Sequence, residues 1–366
     1  MYDVIIVGAR CAGSPTGMLL ARRGRRVLIV DRSTFPSDIL STHYLQQDAT
    51  DRLEKWGLID RLKEAGCRPI NKISFQMGDL TMSPPPPPGR DRIETYCPRR
   101  TVLDKILVDA AREAGAEVRE GCSMQELIFE GGRVAGVRLR QGDQTVEERA
   151  TIVVGADGIH SKVARAVNAP SYNERPAYTC AYYSYFSGTN LDGAVLCIGE
   201  NGGVLAFPTN DGLDCIAVGK QAEMFEEYRS DIEGNFMRYL SEISPDMYER
   251  VKNGKREERW MGTADTENFF RKPYGPGWAL VGDAGYHRDP VTGLGIADAF
   301  RDAELLADAI DDGLAGRAPM EDALAEYERK RNEAATPMYE MTVALASGNP
   351  PPGFASVEQA LTEGPP

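Results

Sequence analysis

The chain has 366 residues, which at roughly 150 residues per domain allows two domains or one large one. It carries 42 Lys and Arg against 55 Asp and Glu, a formal charge of −13, and this excludes a general nucleic-acid binder because phosphate neutralisation needs a basic surface. Only three histidines are present (His43, His160 and His287), so a multi-histidine metal site is excluded and no metal is expected, in a chain whose 42% apolar and 27% charged residues are ordinary for a soluble globular protein.

Taken in order, the first 32 residues read as β-α-β. Val4 to Val7 is a continuous apolar run, as in a parallel strand buried on both faces, and Gly8 to Gly13 is a turn. The following helix carries Met18, Leu19 and Leu20 and closes in the basic cluster Arg22-Arg23-Gly24-Arg25-Arg26, whose cations suit the negative helix end. That cluster is read as a solvated helix end in preference to a nicotinamide 2′-phosphate site. Val27 to Val30 is a second buried strand, closed by Asp31 and Arg32. Residues 51–66 have the period of one helix ending at a glycine, and the prolines 84–88 suit a surface polyproline II segment. An amphipathic helix over 101–114 puts Leu103, Ile106 and Leu107 on one face. Strands follow at 117–120, 125–129 and 133–139, the last two joined by the turn Glu130-Gly131-Gly132. Thr151 to Val154 is another apolar strand, running into Gly155-Ala156-Asp157-Gly158.

The style changes between 177 and 260. Strands at 179–187, 194–198, 203–208 and 213–219, joined by Gly/Asn/Asp turns, predict an antiparallel meander, and 222–254 reads as helical. The βα pattern returns with Trp278 to Val281, then Gly282-Asp283 and a long helix from about 294 to 313. The expected fold class is α/β, with a discontinuous first domain (1–70, 95–175 and 265–345), an inserted substrate domain (71–94 and 176–264) and a proline-rich tail (346–366), loosely ordered or a flap. The seven cysteines (11, 67, 97, 122, 180, 197, 215) never fall as C-x-x-C, which suits reduced thiols. Neither a secretory signal nor a run of ~20 apolar residues is found, so a cytoplasmic protein with no membrane span is expected.

Three segments carry chemistry. Gly8-Ala9-Arg10-Cys11-Ala12-Gly13 stands where the G-x-G-x-x-G turn of a dinucleotide-binding unit belongs, letting a pyrophosphate approach backbone amides at a helix N-terminus. Its middle glycine is Arg10, which crowds the closest approach unless it folds around the phosphates. Asp31 follows Gly13 by 18 residues, the distance at which an acid reaches a ribose hydroxyl. Gly155-Ala156-Asp157-Gly158 and Gly282-Asp283-Ala284, the latter followed by Pro290, Gly293 and Gly295, each succeed an apolar strand. In this order the three segments resemble the para-hydroxybenzoate hydroxylase-like superfamily of FAD-dependent proteins: single-component flavoprotein monooxygenases and geranylgeranyl-reductase-type oxidoreductases. The resemblance spans about residues 1–345.

That resemblance implies a Rossmann-like, glutathione-reductase-type FAD-binding domain with an antiparallel-sheet domain inserted into it. It further implies that Gly8, Ala12 and Gly13 cradle the pyrophosphate, that Asp31 and Arg32 hold the AMP half, and that Met124 makes a backbone contact to adenine. Arg100, in Arg100-Thr101-Val102-Leu103, contacts the cofactor. Asp157 belongs to a segment linked to FAD and nicotinamide cofactor, and Asp283 binds the ribityl or pyrophosphate region. Pro290 lies against the isoalloxazine, and Gly293, Leu294 and Gly295 open the helix facing its N1–O2 edge. Arg10 and Tyr286 depart from the family pattern, the latter standing where many relatives have histidine.

On the substrate side, period-two alternation puts Tyr183 and Tyr185 on one face of a strand and Tyr182 and Phe186 on the other. Tyr183, Tyr185, Phe207 and Trp260 are the expected lining of an aromatic pocket. His43 is a candidate to bind cofactor, orient a substrate oxygen or shuttle a proton, against the plainer reading of a hydrogen-bonded loop histidine; His160 and His287 are read as structural. His43 and Tyr185 are thus the candidates for catalysis, which needs no nucleophile when the cofactor carries the chemistry. The leading expectation is an FAD-dependent monooxygenase, using NADH or NADPH and O2 to hydroxylate an aromatic or polyketide-like molecule through a flavin C4a-hydroperoxide. The alternative is an FAD-dependent reductase or dehydrogenase of an apolar, isoprenoid-like substrate. A halogenase is weaker, since no W-x-W-x-I-P segment occurs, and a non-enzymatic FAD-binding module is weaker still.

Overall fold

The structure is a computed structural model and describes residues 1–77, 80–86, 90–199 and 202–349. Pro87, Pro88 and the tail from residue 350 lie outside the described residues, and Pro84–Pro86 have no regular secondary structure.

The apolar runs of the sequence become the centre of the first sheet. β1 (Tyr2–Val7) lies between β2 (Val27–Val30) and β8 (Gln144–Gly155), all parallel, with Ile6 in register with Ile29 and Val154. β5 (Glu117–Arg119) extends the sheet beyond β2, and β18 (Trp278–Leu280) with its short antiparallel neighbour β17 (Tyr274–Gly275) extends it beyond β8. Alternation sorts the two faces. Val4 and Ile6 pack under α1 (Gly13–Ala21), α4 (Arg100–Glu113) and α9 (Gly295–Leu314), whereas Ile5 and Val7 meet the antiparallel β6 (Cys122–Glu130) and β7 (Arg133–Gln141). β8 is longer than the sequence suggests. Its first half, Gln144–Arg149, pairs antiparallel with β7, and from Ala150 it turns into the parallel sheet beside β1. The layering of helices, parallel sheet and antiparallel sheet is the expected glutathione-reductase-type arrangement.

The second sheet has the order β14-β10-β13-β12-β11-β3-β4, comprising β3 (Ile73–Met77), β4 (Leu80–Met82), β10 (Thr179–Ser187), β11 (Ala194–Gly199), β12 (Gly202–Pro208), β13 (Asp214–Gln221) and β14 (Lys255–Arg256). β15 (Met261–Thr263) pairs with β10 as well. The expected meander therefore holds only from β11 to β13. β10 skips to β13, and β11 takes β3 as a parallel neighbour, because the 71–82 segment fills the edge that a plain meander would leave open. Three helices, α6 (Phe225–Ser230), α7 (Ile232–Ile243) and α8 (Pro245–Asn253), cover one face of this sheet.

A third, small sheet of β9 (Ser171–Arg175), β16 (Asn268–Arg271) and β19 (Tyr286–His287) packs against α10 (Met320–Ala346), a 27-residue helix the sequence reading did not anticipate. α5 (Lys162–Ala166) follows the Asp157 turn. The single helix expected over 51–66 is two, α2 (Gln47–Lys55) and α3 (Ile59–Glu64), because Gly57 turns left-handed at φ 77° and ends the first. The arginines after α1 are exposed apart from the half-buried Arg25, as expected of a solvated helix end, and they also make tertiary ties. Arg23 pairs with Asp308, Arg25 with Asp311 at 2.6 Å, and Arg22 donates to the Trp56 carbonyl, so they pin α1 to α9 and α2. All seven cysteines are unpaired and buried. Among the described residues no helix is long and apolar enough to cross a membrane.

Phe300 sits at the centre of the helical layer, fully buried with its ring 5.0 Å from Trp56. Phe300→Ala is expected to lower stability by about 3–5 kcal/mol in equilibrium denaturation, the range for deleting a buried aromatic.

Candidate cofactor and substrate site

Three parallel strands end at one place, and their turns touch backbone to backbone. Gly8, at φ 109°, has no room for a Cβ, which would lie 2.3 Å from the carbonyl oxygen of Ala156 in the turn after β8. A Cβ on Gly13 would stand 1.8 Å from the Gly8 carbonyl, and one on Gly282, after β18, would be 2.7 Å from the Ala12 side chain. This packing delivers the N-terminus of α1 to the junction with no side chain capping it, and α9 likewise begins uncapped at Leu294–Gly295. Free amides at a helix start attract anions. The tight, side-chain-free cradle and open helix end fit a dinucleotide's pyrophosphate.

Arg10 does not cross this cradle. Its guanidinium turns aside onto Asp104 at 2.5 Å and Ser37 Oγ at 2.9 Å, over the Phe35 ring, so the absent glycine leaves the approach clear. Asp104, wholly buried, also receives Arg100 through both oxygens at 2.9 and 3.1 Å. One carboxylate shared by two guanidiniums leaves the buried cluster with a net positive charge. The Asp104 charge beside Arg100, together with that of Asp283, holds this guanidinium protonated despite its burial. Sequence reasoning missed Asp104, although its position four residues after Arg100 on a helix was the available signal.

Asp31 ends β2 with its oxygens accepting from the amides of Ala9 and Ser33, each at 2.8 Å, which leaves lone pairs for a ribose hydroxyl. Arg32 is exposed, with no ion pair among the described residues. Met124 is buried in β6. The Asp157 carboxylate is occupied locally, accepting from Ser161 Oγ at 2.5 Å and the Lys162 amide at 2.7 Å, and burial raises its pKa. Asp283 is exposed at its turn, Pro290 and Leu294 are half-buried, Gly293 is buried near Tyr44, and Gly295 is open at the start of α9.

The strand alternation read from the sequence sorts the tyrosines of β10. Tyr182 and Phe186 pack beneath the helices, whereas Tyr183 and Tyr185 join Phe207, Tyr44, Ile70, Cys97 and Cys215 on the opposite face. Tyr44, which the sequence reading did not select, stacks on Phe207 at 4.7 Å. Trp260 does not belong to this wall; it packs on the helix side against Phe236 and Phe186. His43 reaches the wall from the loop between β2 and α2. It is wholly buried in a left-handed conformation at φ 60°, with Nε2 2.8 Å from Tyr185 Oη. Burial keeps the Tyr185 phenol protonated, so it donates to Nε2 and the ring's own proton sits on Nδ1. Burial, then the charges of Arg100 and Arg99, push the His43 pKa down to about 3. The arrangement is a neutral imidazole and two protonated phenols beside a cationic cluster. His160 instead pairs with Asp265 at 2.5 Å and His287 with the Glu267 carbonyl, both towards the surface.

A family model described as "FAD binding domain" matches residues 1–342. The digeranylgeranylglycerophospholipid reductase of Methanosarcina acetivorans is 28% identical over 355 residues, 91% of this chain and 81% of that protein. Among solved structures, the myxobacterial chondrochloren halogenase CndH superposes with a TM-score of 0.86 at 25% identity, covering 99% of this chain and 89% of the other. PqsL, a probable FAD-dependent monooxygenase from Pseudomonas aeruginosa, has a TM-score of 0.83 at 23% identity, covering 98% and 99%.

Two outcomes follow from this geometry. Gly13→Ala is expected to weaken FAD retention at least about tenfold, ~1.4 kcal/mol, measured by fluorescence titration of the stripped protein. Between pH 6.5 and about 3 an unfolded chain binds a proton at His43 that the folded chain excludes, so stability falls as pH falls through that window. His43→Asn, which tolerates the left-handed backbone, is expected to flatten that slope by up to about 1.4 kcal/mol per pH unit in denaturation curves compared with the parent.

Proposed function

Because the chain belongs to the FAD-binding-domain family and is an FAD-dependent oxidoreductase, we propose that it is a monooxygenase acting on a small aromatic or polyketide-like molecule, with NADH or NADPH as electron donor. The observation that carries the reading is the ring-lined wall of Tyr183, Tyr185, Phe207 and Tyr44, whose polar tips and buried His43 lie beside the cofactor-side cluster of Arg100 and Asp283. A flat substrate stacks on such a wall, and its polar groups find phenols and an imidazole.

In this reading Gly8, Ala12 and Gly13 hold the pyrophosphate at the start of α1, and Asp31 accepts from the adenosine ribose. Arg100 and Asp283 face the middle of the cofactor, and Gly293 to Gly295 present the amides of α9 to its ring. Two-electron reduction and oxygen transfer are the chemistry that FAD supplies when bound. The chain's own part is to bind, to exclude water with the closed aromatic wall, and to orient a substrate oxygen through His43 and Tyr185. His43 suits this because it stays neutral through the physiological range.

A second reading is a reductase of an apolar substrate. It is favoured by the named reductase relative at 28% identity and by the aliphatic members of the same wall, Ile70, Ala194 and Leu196. Oxygen separates the two. Purified enzyme given NADH or NADPH and a panel of phenols is expected to form a hydroxylated product in air and none under anaerobic conditions. Anaerobic turnover of a prenyl double bond, with no oxygenated product in air, contradicts the monooxygenase reading. Tyr185→Phe, which removes the partner of His43, is expected to lower turnover about 10–100-fold with the flavin still bound.

A further inference from the structure

Five polar atoms between β19 and α9 are enclosed and have no hydrogen-bond partner among the described residues: Tyr286 Oη, Arg288 Nε and Nη1, Asp298 Oδ2 and Asp302 Oδ2. They belong to one buried cluster that the proposed reaction does not use. Arg301 joins the two carboxylates, donating from Nη1 to Asp298 Oδ1 and from Nη2 to Asp302 Oδ1, each at 2.7 Å. Arg288 stands with Nη2 2.6 Å from Asp298 Oδ2, an ion contact without the alignment of a hydrogen bond. Its guanidinium lies 5.9 Å from the centre of the Tyr286 ring, and Asp298 is the charge that acts most strongly on that phenol. Enclosed polar groups without partners are costly, and here the free ones are mixed. An anion would meet two carboxylate oxygens and a cation would meet a guanidinium. The molecule that completes the cluster is therefore water, which both donates and accepts.

Asp298 and Asp302 stand four residues apart on α9, so their charges oppose each other across one buried turn. The groups facing Asp298 are Tyr286 and Arg288 from the β19 segment and Arg301 and Asp302 on its own helix, with Tyr327 and Arg331 of α10 behind Asp302. Burial outweighs the charges of Arg288 and Arg301 and, with Asp302 adding to it, pushes the Asp298 pKa up to about 6. Burial keeps the phenols of Tyr286 and Tyr327 protonated. On the solvent side Arg301 lines a pocket of about 280 Å³ with Arg23, Arg52, Lys55, Glu304 and Asp308, which brings water to the edge of the cluster.

We propose that Asp298 exchanges a proton with solvent through water held by Tyr286, Arg288 and Asp302, and that its charge behind the start of α9 sets the reduction potential of the cofactor. This rests on the reading that the flavin ring lies at the start of α9, and adds to it a group that tunes the ring. With Asp298 ionised, two carboxylates and two guanidiniums cancel. With it protonated, one positive charge is left, and positive charge there favours the electrons that reduction adds. The proton leaves Asp298 Oδ2 for water and returns by the same path, so the role is electrostatic and no covalent step is involved.

The test is a reduction potential, read without turnover. Holoenzyme and its Asp298→Asn form are reduced stepwise against reference dyes from about pH 5 to about pH 8. The two potentials are expected to coincide at the acid end, where both side chains are neutral. Above about pH 6 the parent falls below the variant, and at a fixed dye potential its ratio of reduced to oxidised flavin is at least about threefold lower. His43, with its pKa pushed down to about 3, contributes nothing in this range. Asp298→Glu restores the divergence. Arg288→Gln and Tyr286→Phe each remove a donor that favours the carboxylate, so each moves the break in the line of potential against pH upward by at least about half a pH unit. These two variants carry the test if Asp298→Asn does not fold. Parallel potentials for parent and Asp298→Asn, or a break that neither Arg288→Gln nor Tyr286→Phe moves, overturn the inference. Tight FAD binding with parallel potentials leaves the cofactor-site reading standing while this one falls, whereas a chain that binds no FAD sinks both.

Discussion

The constraint on which the structure depends is the contact of three turns at the carboxyl ends of β1, β8 and β18. Gly8 touches Ala156, Gly13 touches the Gly8 carbonyl, and Gly282 touches Ala12, each at a distance that any side chain would break. These turns meet because the strand order in the sheet is β18, β8, β1, and between β2, β5, β8 and β18 the chain leaves the parallel sheet three times and returns. The antiparallel β6–β7 layer and the inserted second sheet occupy those excursions. The junction also determines where α1 and α9 begin, and the amides at those two starts, uncapped by any side chain, are the kind of group that attracts anions.

Around this junction the electrostatics are arranged by Asp104. Arg10 replaces a glycine of the turn and would obstruct it if its side chain rose over the helix end. Asp104 draws it aside and at the same time orients Arg100. The residual positive charge of the trio lies between the cradle and the tyrosine wall. On one side Arg100 adds to the burial that keeps His43 neutral, and on the other it faces Asp283. A chain of net charge −13 thus holds a local cationic centre where its ligands carry negative charge.

Much of this was legible in the sequence because it rests on short-range pattern. The apolar runs before Gly8, Gly155 and Gly282 are strands buried on both faces, and the alternation of residues 182–186 divides β10 correctly between the helix-covered face and the opposite one. Less legible was whatever depends on non-local pairing. The neighbour of β10 is β13 and that of β11 is β3, a choice made by edge filling that no local period encodes. Trp260 lacks a strand period to orient it and turned to the helix side. α10 was hidden because its buried stripe contains Ala323, Tyr327, Arg331, Ala335, Tyr339 and Thr342. The four-residue spacing is present, but it is carried by small and polar residues, with Arg331 satisfied by carbonyls and Tyr172, and Pro337 interrupts the pattern.

The central claim is that the glycine junction and the start of α1 bind the cofactor through its pyrophosphate. The most direct measurement is a titration of the flavin-stripped protein with FAD and, in parallel, with riboflavin, which has the same ring and no phosphates. One FAD per chain, bound at least about a hundredfold more tightly than riboflavin (~2.7 kcal/mol), is the result expected. Equal affinities for the two, or no saturable binding of FAD, would contradict it.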